Sequence, residues 1–150
     1  MNVILVAQHG LYWILPIAPF LSVQCIDEEA EMIFSQTGDL GKVACIAPFT
    51  SKQSLECLID SAYQKSGKLD SIKCVASFLC FDKLGEIAMN AYNEGGINAV
   101  LPIAPFLRTD MLNIMAKDAL DKYGLPGIAP IMPFIDGKIV EEYIAGKRVN

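Results

Sequence analysis

Apolar residues along the chain fall into two alternating kinds of segment. The first kind is short and mainly apolar: Trp13 to Ile17, Val43 to Ile46, Ile72 to Ala76, Ala99 to Ile103 and Gly127 to Ile131. Runs of this length, apolar on both faces, predict parallel strands covered on both sides. The second kind is periodic. Leu55, Leu58, Ile59 and Ala62 recur at i, i+3, i+4, i+7, and so do Leu84, Ile87, Ala88 and Ala91. That spacing puts one apolar stripe on one face of a helix.

A phrase joins the two kinds. Ile17-Ala18-Pro19-Phe20 returns as Ile46-Ala47-Pro48-Phe49 and as Ile103-Ala104-Pro105-Phe106. Val75-Ala76-Ser77-Phe78 and Ile131-Met132-Pro133-Phe134 are degraded copies. The phenylalanines stand at 20, 49, 78, 106 and 134, in steps of 29, 29, 28 and 28. So regular a step over five copies marks a repeated supersecondary unit. Thr50 with Gln53 has the form of a capping box, and Asp27, Asp82, Thr109 and Asp136 are further N-cap candidates. Gly38, Gly67, Gly95, Gly124 and Gly146 stand where left-handed helix ends are needed.

Alternating strand and helix predicts an α/β fold. The expectation is one domain over 1–150, with five βα units of 28–29 residues over 15–150. They would form a three-layer flavodoxin-like sandwich with a mainly parallel sheet. Residues 1–14 read as an extra N-terminal strand with a hairpin-like start, a candidate for antiparallel pairing at an edge. A partial (βα) barrel is the alternative; it would need several chains to close.

That fold would gather the segments after each phenylalanine at the carboxyl edge of the sheet, where ligands of open α/β sheets bind. Ser22, Thr50, Ser51, Arg108 and Thr109 are the ligand-binding candidates. Arg108, one of two arginines in the chain, stands ahead of Thr109 at an expected helix start, where backbone N–H groups and a guanidinium fork suit an anion. An ion pair with Asp110 or Asp136 is the plainer reading of Arg108. His9, Cys80 and Asp136 are the candidates for catalysis. His9 also suits an exposed turn beside Gly10, and Cys80 has no visible base partner. Cys45 and Cys74 read as strand core, Cys57 as helix core, and the repeated phenylalanines as packing residues.

Composition narrows the partners. Apolar residues make up 53% of the chain, charged residues 19%, and the net charge is −5. This excludes disorder and offers no basic patch for nucleic acid. The apolar excess points to a homo-oligomer. The five cysteines are irregularly spaced, without C-x-x-C, which fits a reducing cytoplasm and no metal site. There is no Lys or Arg before Lys42, and the apolar run from Leu11 to Leu21 is short for a membrane span. Dinucleotide, P-loop, G-x-S-x-G and H-E-x-x-H motifs are absent. No cofactor is specified, and a flavin or nucleotide remains among the anionic ligands the edge would accept.

Residues 43–148 resemble the small tetrapyrrole metal chelatases in the order of "SFL", "VLPIAPFL" and "IMPFIDG" between helices. That family holds metal with histidines after its first and third strands. Pro48-Phe49-Thr50-Ser51 and Leu107-Arg108-Thr109 stand there in this chain, so the resemblance implies a degenerate chelatase-like protein. Ala47-Pro48-Phe49-Thr50 also resembles the A-P-x-[TS] phrase of flavin-binding decarboxylase-like proteins, whose glycine-rich first turn is missing. The functional expectations are thus a small-anion-binding domain or enzyme, a non-catalytic self-assembling module, or a degenerate chelatase-like protein.

Overall fold

The computed structural model describes residues 16–149, and among them there is no strand. Over these residues the expected α/β flavodoxin-like sandwich is replaced by a helical fold, and among the described residues neither a parallel sheet nor a (βα) barrel forms. The expected strand over residues 1–14 lies outside the described residues.

The helical half of each repeat is as the sequence reads. The long helices are α1 (Val23–Thr37), α2 (Lys52–Ser66), α3 (Phe81–Val100), α4 (Thr109–Tyr123) and α6 (Gly137–Val149), with one short turn, α5 (Leu125–Ile128). Each buries its apolar stripe: Ile26, Ala30 and Ile33 on α1, and Leu55, Ile59 and Ala62 on α2. On α3 and α4 the same positions hold Leu84, Ala88 and Ala91, then Leu112, Ala116 and Ala119, all buried.

In place of the expected strands, the described residues form 3-10 helices, turns and helix ends. Val43 to Ile46 is a turn between Leu40–Lys42 and Ala47–Phe49, and Ile72 to Ala76 runs into Lys73–Phe78. Ala99 to Ile103 and Gly127 to Ile131 pass from α-helix into 3-10 helix, while most of Trp13 to Ile17 lies outside the described residues. In the second repeat the backbone N–H of Val43 donates to Leu40, Ile46 to Val43 and Phe49 to Ile46, all at 3.0 Å. Ala44 and Ala47 also donate, to Leu40 and Val43 at 3.0 Å, and the recurring i→i+3 bonds bring every third side chain to one side. The resulting column is Leu40, Val43 and Ile46, each at most 1% exposed. Leu69, Ile72 and Val75 repeat it, as do Ile97, Val100 and Ile103. A strand would need alternation or a run buried on both faces. Here one residue in three is buried while intervening residues such as Lys42 and Lys73 face solvent. Proline fits because early residues of a 3-10 turn need no N–H donor; Pro19 and Pro48 are second in Ala18–Phe20 and Ala47–Phe49.

Two glycine geometries explain the two repeat lengths. Gly38 (φ 66, ψ 8) and Gly67 (φ 63, ψ 11) end α1 and α2 in the left-handed region, and the apolar column starts two residues later, at Leu40 and Leu69. Gly96 (φ 69, ψ −160) breaks α3, and Gly124 (φ 69, ψ −164) ends α4. There the column starts on the very next residue, Ile97 or Leu125. The residue saved is the difference between a 29- and a 28-residue repeat.

The chain divides into two compact units: one takes in the chain to Gly67 with Ser71–Leu79, the other Lys68–Asp70 with the chain from Cys80 onward. In the first unit α1 packs on α2, and the 3-10 helices Leu40–Lys42 and Ala47–Phe49 pack on Lys73–Phe78. In the second, α3 packs on α4, α4 on α6, and Leu101–Phe106 on Ala129–Phe134. Each unit is thus a layer of α-helices beside a layer of 3-10 helices, in which neighbouring repeats bury each other's apolar columns. Among the described residues no helix is long and apolar enough to cross a membrane.

Candidate functional site

The residue two places after each phenylalanine is the N-cap of the next long helix. In the first unit these are Ser22 and Ser51, whose side chains accept from the N–H of Cys25 and Ser54. The cap is therefore Ser51, not the Thr50 of the expected capping box; the Thr50 hydroxyl donates back to the Ala47 carbonyl at 2.7 Å. Asp27 lies inside α1 and holds the next repeat: Oδ1 accepts from the Ser51 N–H at 2.7 Å and Oδ2 from its hydroxyl at 2.6 Å. The donors that were to cradle an anion at Ser51 are thus taken by the protein's own carboxylate. A cleft of about 240 Å³ beside them is lined by Asp27, Glu31, Ser51 and Cys57, a setting whose charge repels an anion.

In the second unit the same position holds Cys80, Arg108 and Asp136. Neither the Cys80 nor the Arg108 side chain caps its helix. Arg108 pairs with Asp110 at 3.2 Å, both well exposed, and Thr109 opens α4, exposed. Asp136 donates its N–H to Asn113 Oδ1 at 3.0 Å and accepts from the Lys138 N–H at 3.0 Å. Asn113 occupies in α4 the position Asp27 occupies in α1, so the inter-repeat bond recurs. In α3 that position is Gly85, and the Met111 side chain fills the space its Cβ would need. His9 lies outside the described residues. Cys57 and Cys74, read as core, are exposed, and Cys45 and Cys80 are half-buried. No cluster of three or more His, Cys, Asp or Glu able to hold a metal occurs among the described residues.

The repeated phenylalanines do not serve only as packing. Phe20 is 86% exposed, Phe78 44% and Phe106 36%, while Phe49 and Phe134 are half-buried. Each ends a 3-10 helix next to Pro or Ser, so within each unit exposed aromatic rings recur at one repeat position. Scattered exposed apolar residues are ordinary, but recurrence at a fixed position is not.

The second unit also contains a polar group that sequence reasoning missed. The buried Tyr92 hydroxyl donates to Asp118 Oδ2 at 2.5 Å, and Lys122 Nζ donates to the same oxygen at 2.7 Å. Burial, then the bond to Asp118, pushes the Tyr92 phenol up. The Lys122 ammonium, then the Tyr92 hydroxyl, holds the Asp118 carboxyl below its ordinary range, and Asp118 in turn raises Lys122. Tyr92 and Lys122 line a groove of about 540 Å³ together with the glycine turn at Gly96 and with Gly127 of α5. Only the i, i+4 spacing of Asp118 and Lys122 was visible in the sequence.

Set against known proteins, the chain matches no family model, no curated protein and no solved structure.

Proposed function

We propose that this chain is a non-catalytic assembly module that associates with a second copy of itself through the exposed Pro-Phe and Ser-Phe turns of its first unit. The exposure of Phe20 and Phe78 at one repeat position carries this reading. Burying a fully exposed ring is worth about 1.5–3 kcal/mol; Phe20 is 86% exposed and Phe78 44%, so the two give about 2–4 kcal/mol gross. Association costs roughly 4–15 kcal/mol in lost freedom. The expected dimer is therefore weak. A second copy suits these turns because they are uncharged: two chains of net charge −5 can meet there without apposing like charges. The two turns also recur at one repeat position of the same unit, so two copies can meet there about a two-fold axis. Binding of a small anion at Arg108 and Thr109 is less favoured, because the guanidinium is already paired with Asp110.

Sedimentation velocity over a hundredfold range of concentration tests the reading. A concentration-dependent dimer should appear, and Phe20→Ser with Phe78→Ser should abolish it while the circular dichroism spectrum is unchanged. A monomer throughout, or a dimer indifferent to the two substitutions, would refute it.

A further inference from the structure

We infer that the groove of the second unit is a binding site for a neutral carbohydrate. At about 540 Å³ it lies within the roughly 300–1,000 Å³ typical of ligand sites. One wall is the shorter glycine turn at Gly96. Gly127 of α5 lines it as well, and a Cβ there would lie 2.7 Å from the Tyr123 Cβ.

The chemistry of the walls selects the ligand. An anion is disfavoured because the cation in the lining, Lys122, is ion-paired with Asp118 at 2.7 Å. A cation is disfavoured because the lining offers one carboxylate, Glu94, together with the Lys122 ammonium. A purely apolar ligand would strand the polar groups that remain. Lys122 carries three N–H donors and gives one to Asp118, leaving two for hydroxyl oxygens. The exposed amides of Asn93 and Asn98 each offer both donors and acceptors, matching the dual character of a hydroxyl. Tyr123, also in the lining, is 68% exposed and supplies an amphipathic ring on which the C–H face of a sugar can rest. The floor is preorganised, since Asp118 fixes both Tyr92 and Lys122 before any ligand arrives. This inference does not depend on the Pro-Phe and Ser-Phe turns.

Saturation-transfer NMR on the full chain, with glucose, N-acetylglucosamine, maltose and cellobiose each at about 10 mM, suits the weak affinity expected of a small neutral ligand. At least one sugar should show transfer to its ring protons. Tyr123→Ala and Asn98→Ala alter exposed residues and should keep the fold, checked by circular dichroism, while each weakens binding by roughly tenfold. Inorganic phosphate should not displace the sugar. Absence of transfer to all four sugars, retention of full binding in both variants, or displacement by phosphate would overturn the inference.

Discussion

Replacing Asp27 by alanine removes two hydrogen bonds at once, and both tie one repeat to the next. Oδ1 and Oδ2 accept from the N–H and hydroxyl of Ser51 at 2.7 and 2.6 Å. A hydrogen bond to a charged group contributes about 1.5–3 kcal/mol. Because the pair is only part-buried, the sum is discounted to about 2–4 kcal/mol, still above the usual single-residue effect. In a chain of 150 residues that corresponds to a fall in Tm of about 5–10 °C. The internal control is Asn113→Ala, which deletes the corresponding bond of the other unit. There a neutral amide accepts one bond, to Asp136 at 3.0 Å in an exposed setting, and the expected cost is about 0.5–1.5 kcal/mol. Urea titration followed by circular dichroism measures both. A double-mutant cycle with Ser51→Ala should return a coupling of about 1 kcal/mol or more, because the two residues share a bond. If Asp27→Ala costs no more than Asn113→Ala, or the cycle closes to zero, the view that a carboxylate clamps these repeats is wrong.

Three further outcomes are expected. Glu29 is 4% exposed, and its Oε2 has no hydrogen-bond partner among the described residues. Burial raises its carboxyl above the ordinary 4.5, so the folded chain binds more protons, and this contribution to stability falls as pH rises above about 4.5. Glu29→Gln should therefore stabilise the protein at pH 7 and lose that advantage under acid; thermal melts at both pH values decide it. Gly85→Ala should be near neutral or slightly stabilising, since the Met111 Cε at 2.5 Å is the free end of a flexible chain and alanine favours the helix by about 1 kcal/mol. Gly127→Ala should instead cost about 1–3 kcal/mol, because its Cβ would meet the Tyr123 Cβ at 2.7 Å and the Ala119 carbonyl at 3.2 Å. Equal melting temperatures for these two variants would contradict this. Tyr92→Phe removes the hydroxyl bonded to Asp118 and should cost about 1–2 kcal/mol, which denaturant titration would detect.

The repeat, the helix faces and the glycine stops at Gly38, Gly67 and Gly124 were legible in the sequence because each follows a local rule. The intervening layer was misread for a physical reason. Val43 to Ile46 and Ile72 to Ala76 are short, apolar and rich in β-branched residues, which is also how a buried strand looks. The discriminating signal was a spacing of three, as in Leu40, Val43, Ile46 and again Leu69, Ile72, Val75. It becomes visible only when the window is widened back to the glycine. The residues after each phenylalanine do lie at helix starts, yet the caps are Ser22, Ser51, Cys80 and Arg108 in place of the expected Asp27, Thr50, Asp82 and Thr109, and Ser51 serves both its own helix and Asp27. The Tyr92–Asp118–Lys122 group was illegible because Tyr92 and Asp118 are 26 residues apart and meet only through the packing of α3 on α4.

The 3-10 layer imposes something like a reading frame of three. Losing or gaining one residue within Leu40 to Phe49 would rotate the side chains from there to Phe49 by about 120°, exposing part of that apolar column. The one tolerated change of length lies just outside the frame, at the glycine, where a different ψ absorbs a residue before the column begins. Whole repeats of either length can therefore be added or removed without altering the meaning of the next. Growth of such a chain is confined to in-frame copying, which is the pattern its five phrases still display.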